Sequence, residues 1–184
     1  MIRISSCLTI LAFVVSFHVK QTIAQQTKSE KPDAVKNLEK FIGTWDGNAT
    51  LTIDGVSHKF VYYVNCKMTS GGNGLRVMEW FTDKDLGSMK GDNLAGYNPY
   101  DMKIHWFSVD NMGTTHEHTG EWLSPDHLFM EHDGLQNGKS YIEKIDFTFV
   151  GKNEMSFKMR STLDGADAGT GEAVFHKKMK VTKK

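Results

Sequence analysis

Apolar and polar residues recur along this chain with two different periods, and the change from one to the other falls at Gly43. Before it, Val35, Leu38, Phe41 and Ile42 follow the three-to-four spacing of one helix face, with Asp33 placed to cap the helix and Gly43 to end it. From Thr44 the period is two. Trp45, Gly47, Ala49, Leu51 and Ile53 share one side, Asp46, Asn48, Thr50 and Thr52 the other, and Asp54-Gly55 supplies the chemistry of a tight hairpin. The next run, 58–68, puts Phe60, Tyr62, Val64, Cys66 and Met68 on one face until Gly71-Gly72-Asn73-Gly74 breaks it. Further strand-like runs are 75–82, 92–97, 102–110, 114–123, 127–133, 139–150, 154–162 and 172–181, with a loop around 84–90 and a turn at Asn98-Pro99-Tyr100-Asp101.

About ten strands at this spacing, joined by short turns and almost without helix, form an antiparallel meander. A meander of that length has two exposed edges, and closing it into a barrel removes both. The predicted fold is therefore all-β, an antiparallel up-and-down barrel of about ten strands with a short N-terminal helix closing one end. A barrel of this size can hold one small ligand.

The first residues follow neither period. Arg3, the apolar run from Cys7 to Phe17 and Thr22-Ile23-Ala24 have the layout of a secretory signal peptide over 1–24, and the run is about half the ~20 residues that a bilayer requires. The expectation is a secreted or periplasmic protein without stable membrane insertion after cleavage. Residues 25–32 read as a disordered polar lead-in and 33–184 as one barrel domain, which suits a 184-residue chain with 39% hydrophobic residues. Removing Arg3 and Lys20 from the 22 basic residues leaves 20 against 22 acidic ones. That balance argues against nucleic acid, whose backbone demands a basic face. Cys66 is then the single cysteine, so no internal disulfide can form and the core must hold the fold.

The junction Phe41-Ile42-Gly43-Thr44-Trp45 resembles the Gly-x-Trp signature of lipocalins and fatty-acid-binding proteins, the calycin group. Gly96-Tyr97-Asn98-Pro99, Ile104-His105-Trp106-Phe107-Ser108, Asn111-Met112-Gly113-Thr114 and Glu117-His118-Thr119-Gly120-Glu121-Trp122, in that order, are similar to a bacterial lipocalin-like family of unknown function. The resemblance implies a single calycin barrel, often exported, without an established reaction. It also implies that Trp45 covers the barrel bottom. In lipocalins an arginine late in the chain stacks on that tryptophan, whereas the final strand here carries Lys177 and Lys178.

The candidate chemistry lies in histidine. His116 and His118 fall on one face of their strand, and a two-residue turn at Asn111-Met112 sets His105 opposite His118, with Glu131 or His132 available from the next strand. Imidazoles converging from adjacent strands are what a zinc or non-haem iron site requires, so His105, His116 and His118 are the candidate metal ligands. The competing reading is a hydrogen-bonded barrel lining. Haem held by one histidine is a further option, because some calycin barrels hold haem. No catalytic residue is assigned: Ser108, His105 and Asp110 are split between faces by alternation, and Glu79 with Arg76 reads as a salt bridge.

Aromatic and methionine side chains are numerous enough to line a cavity for an apolar guest. With the histidines, Tyr62, Trp80, Trp106, Trp122 and Phe129 are the candidate ligand-binding residues, although the same side chains also fill ordinary cores. The expected function is binding of a small apolar or amphipathic molecule by a monomer or weak dimer, with no cofactor named. The alternatives are a metal-dependent enzyme or metal- or haem-binding protein using the three histidines, and an envelope interaction module without an internal site.

Overall fold

The computed structural model describes residues 32–178. The predicted signal segment, all but the last residue of the predicted lead-in and the final six residues lie outside the described residues.

The chain enters through helix α1 (Asp33–Leu38) and a single 3-10 turn (Glu39–Phe41). Ten strands follow: β1 (Gly43–Ile53), β2 (Val56–Met68), β3 (Gly74–Asp83), β4 (Gly87–Asn98), β5 (Lys103–Asp110), β6 (Thr115–Ser124), β7 (His127–Gln136), β8 (Lys139–Val150), β9 (Glu154–Leu163) and β10 (Ala166–Lys177). Each pairs antiparallel with its sequence neighbours, and β10 pairs with β1, so the sheet closes into an up-and-down barrel. Among the described residues no helix is long and apolar enough to cross a membrane.

The helical entry forms the plug that the sequence predicts, with two differences. Pro32, not Asp33, stands at the cap position, and Asp33 instead pairs with Lys36 at 3.2 Å. Ile42 is 36% exposed, because the helix tightens into the 3-10 turn and swings that residue off the apolar face that Val35, Leu38 and Phe41 bury. The chain then turns sharply into β1 at Gly43, whose φ of +136° is a conformation that L side chains rarely adopt.

Trp45 is fully buried under this plug and donates from Nε1 to the Phe41 carbonyl at 2.7 Å. Lys177 places its ammonium 4.7 Å from the centre of the Trp45 ring. A lysine ammonium thus lies over the tryptophan ring, and cation–π attraction favours that placement at the bottom of the barrel. Lys40 fastens the plug to the β6–β7 turn through the Pro125 carbonyl and Asp126 Oδ1. Leu38, Phe41, Leu75, Ile104, Leu128, Phe149, Met155 and Phe175 pack around it as the apolar floor. Cys66 belongs to this floor, and burial pushes its thiol pKa up to about 12, which leaves it unreactive.

Two strands begin earlier than their periodicity predicts. The loop expected around 84–90 is only the turn 84–86: Asp83 accepts from the Asp85 and Leu86 amides at 2.9 Å, and β4 resumes at Gly87. Likewise β10 starts at Ala166 rather than near 172. Its glycine-rich opening is strand containing a bulge between Asp167 and Gly169, not a long turn.

Candidate functional site

Above the apolar floor the barrel interior opens into a cavity of about 200 Å³. Trp106, Met130, Ile145, Phe147, Phe157 and Met159 form its apolar walls. A smaller space of about 40 Å³ shares Trp106, Phe147 and Phe157 with it and ends on Phe41. The polar part of the lining is Tyr62, Glu79, Ser108, His116, His118 and Glu143.

These polar groups form two hydrogen-bonded sets. On the β2–β3–β4 wall the Tyr62 hydroxyl donates to Glu79 Oε2 at 2.7 Å and Asn93 Nδ2 donates to Glu79 Oε1 at 3.1 Å. Gly91, opposite Glu79 in the ladder, makes the room, since a Cβ there would lie 2.8 Å from Oε1. Glu79 is therefore no surface salt bridge; Arg76 pairs instead with Asp92 on the outer face at 3.1 Å. Burial raises the Glu79 pKa despite the bonds from Tyr62 and Asn93. The second set spans β6 to β8, where His118 Nε2 lies 2.9 Å from Glu143 Oε1 and the Tyr141 hydroxyl donates to Glu143 Oε2 at 2.7 Å. Burial alone would raise the Glu143 pKa, but the bonds from His118 and Tyr141 outweigh it and hold the carboxyl below its ordinary value. Two carboxyl groups with opposite proton preferences thus face one space.

Because the raised pKa of Glu79 belongs to the folded state, that state binds its proton more tightly than the unfolded chain. The contribution of Glu79 to stability should then fall as pH rises from the ordinary glutamate value, about 4.3, through the folded value, and stay lower above it. Glu79→Gln keeps a side chain of the same shape without the charge. Urea unfolding at about pH 4 and about pH 8 should show the variant more stable than wild type at the higher pH, and unfolding free energies that differ equally at both pH values would refute this origin of the slope.

His116 lies beside the second set, its ring 4.8 Å from His118 and 5.3 Å from His132. Burial and the neighbouring His118 lower its pKa. His132 Nδ1 lies 2.8 Å from the Glu117 carbonyl oxygen. That contact marks a change in the wall. The β6–β7 ladder runs from Ser124 and His127 to Thr119 and Glu131 and stops, while β6 continues back to Thr115 and β7 on to Gln136. The two strands therefore part beside His116 and His118, towards the open mouth.

The eight predicted site residues divide evenly. Tyr62, Trp106, His116 and His118 line the cavity. Trp122 points inward but lower down, 6.3 Å from both Phe41 and Phe149, and so belongs to the packing under the plug. Trp80 stacks on Tyr63 at 5.4 Å on the outer face, and Phe129 alternates outward between buried Leu128 and Met130. His105 is also on the outside, between Asp101 at 2.7 Å and Glu117 at 2.6 Å. The predicted register is corrected here: His118 faces Trp106 and His105 faces Thr119. Asp110 accepts from the Met112 and Thr114 amides, and Gly113 adopts φ +89°, so the turn takes one more residue than assumed. A slip of one residue exchanges the two faces of a strand.

Glu79 and Glu143 are interior carboxylates outside the predicted site, and both carry a signal in the sequence. Tyr141, Glu143, Ile145, Phe147 and Phe149 are one alternating face, as are Leu75, Val77, Glu79 and Phe81. A carboxylate on an otherwise apolar face is a buried charge in need of a partner.

No protein-family model matches the chain, and no curated protein matches it. Among solved structures it is similar to Rv2717c from M. tuberculosis, with a TM-score of 0.60 and 14% identity over 82% of this chain and 100% of that one. It is also similar to the S-type phycobiliprotein lyase CPES from Guillardia theta, with a TM-score of 0.53 and 8% identity over 78% of this chain and 92% of that one. At these identities the likeness concerns the fold alone, a closed antiparallel up-and-down β-barrel.

Proposed function

We propose that the barrel binds one small amphipathic molecule, about the size of a single substituted ring, in the cavity between Trp106 and His116. The observation that carries this reading is the cavity itself, one space of about 200 Å³ with aromatic walls and a polar end. An apolar cavity of about 150 Å³ holds benzene, so the space suits a ring with a short polar substituent and is too small for a long acyl chain or a haem. The walls would take the ring, while Tyr62, Ser108, Glu79 and His116 offer donors and acceptors for the substituent. The parted β6 and β7 strands offer a route from the mouth. Binding by calycin barrels as a group agrees with the reading, and the export predicted from 1–24 would place it outside the cytoplasm.

The test is titration of the protein with a panel that includes phenol, p-cresol, indole and hexadecanoic acid, read by tryptophan emission and calorimetry. Single-ring compounds should bind one per chain and change the emission of Trp106, whereas hexadecanoic acid should not bind inside. Ser108→Phe, which puts a ring into the space, should weaken binding at least about tenfold, the equivalent of ~1.4 kcal/mol. Binding that is undiminished in this variant, or no binding by any single-ring compound, would sink the proposal.

A further inference from the structure

We propose that His116, His118 and Glu143 form a binding site for one divalent first-row transition-metal ion whose open coordination positions face the cavity. The nitrogen and oxygen atoms that these three side chains can offer lie within 4.8 Å of one another. They come from β6 and β8, which are not neighbours in the barrel, and converge across the intervening β7. Two imidazoles and one carboxylate are a donor set that suits zinc, cobalt or iron with exchangeable positions left over, and His105 has no part in it.

The site has the parts of a metal centre beyond its three donors. Tyr141 already holds the second Glu143 oxygen at 2.7 Å, as an outer partner that would orient the carboxylate. No described residue donates a hydrogen bond to His116 or accepts one from it, so its lone pair is not committed to the protein. Donors at about 2.0 to 2.2 Å from a tetrahedral ion sit ~3.3 to 3.6 Å apart. His118 and Glu143, at 2.9 Å, would part slightly and His116 would turn in, which are side-chain rotations rather than strand movements. The proton shared between His118 and Glu143 would leave to solvent as the ion takes its place. His132, 5.7 Å from His118 by ring centres, stands close enough to meet a ligand or water on the ion.

A second convergence, His58 with Asp83 and Asp85, lies at the mouth. Its Asp83 oxygen is already occupied by the Asp85 and Leu86 amides of the tight turn, which accounts for that cluster structurally.

The inference does not depend on an organic guest, because metal binding uses only side chains of the chain, and the two experiments can fail separately. The metal-free protein is titrated with Co²⁺, followed by its visible absorption, and Zn²⁺ is then used to displace it. One Co²⁺ per chain, displaced by Zn²⁺, is expected. His116→Ala and Glu143→Gln should each weaken binding at least about 100-fold, more than the ~10- to 100-fold lost with an outer partner, and Tyr141→Phe about tenfold. His105→Ala and His58→Ala should bind as wild type does. Circular dichroism confirms that each variant is folded, and His116, half-buried and without a hydrogen bond to any described residue, is the position whose loss should disturb the fold least. No bound ion, undiminished binding in His116→Ala, or loss of binding in His58→Ala would overturn the assignment.

Discussion

Trp45→Ala is expected to destabilise the barrel by about 4 kcal/mol, in the ~3 to 5 kcal/mol range for truncating a large buried aromatic. Three losses act together. The cavity sits at the bottom of the core, where the indole is fully buried. The Phe41 carbonyl loses its donor at 2.7 Å, and Lys177 loses the ring beneath its ammonium. For a domain of this size the melting temperature should fall by on the order of 10 °C. Lys177→Ala alone should cost only about 1 kcal/mol, since that pair is partly solvated. A Trp45→Ala variant within about 1 kcal/mol of wild type by urea unfolding would mean that the plug, not the tryptophan, closes the barrel.

The second large effect concerns the interior pair. His118 and Glu143 have side chains 4% and 14% exposed, and His118→Leu would leave the Glu143 carboxylate buried without its main partner. Removing one member of such a pair typically costs ~3 to 5 kcal/mol, whereas replacing both by apolar residues of similar volume is often neutral or stabilising. His118→Leu is therefore expected to lose about 3 kcal/mol, and His118→Leu/Glu143→Met to recover most of it. A double variant as unstable as the single one would show that the pair serves the fold. Recovery would show that a polar layer of little value to stability occupies the core, as expected where residues are kept for binding.

How much of this was legible in the sequence depends on which interaction fixed each feature. The barrel was readable, because the period of two is imposed by burial on one face and the turns carry Gly, Asn and Asp at the positions that need them. The Gly43-Thr44-Trp45 junction was readable for the same reason: the change of period marks where the helix becomes a strand. The ends of β4 and β10 were not, since Asp83 and the bulge at Asp167 replace a loop by a hydrogen-bonded turn and an irregular strand.

At the site, His116 and His118 were found together because residues two apart on one strand share a face whatever the register. The sequence puts His105 on the wrong face because its position relative to His118 depends on a hairpin, and the Asp110 side chain lengthens that turn by one residue. Glu143 escapes such reasoning because it comes from a strand that does not adjoin β6, so no pairing rule on sequence neighbours brings it to His118. Its position in the face from Tyr141 to Phe149 would have revealed it as buried, and a buried carboxylate requires a donor. Glu79 was hidden by Arg76 three residues before it, an apparent ion pair that the strand splits between its two faces.

On the proposed function, a small amphipathic guest occupies the space between the aromatic walls and the histidine–carboxylate layer. The most direct measurement is methyl NMR of the methionines during titration with p-cresol. Met130 and Met159 line the cavity, while Met78 and Met102 are 43% and 74% exposed on the outside. Saturable shifts at Met130 and Met159, with Met78 and Met102 unmoved, are the predicted result. Shifts confined to the outer methionines, or none at saturating p-cresol, would contradict it.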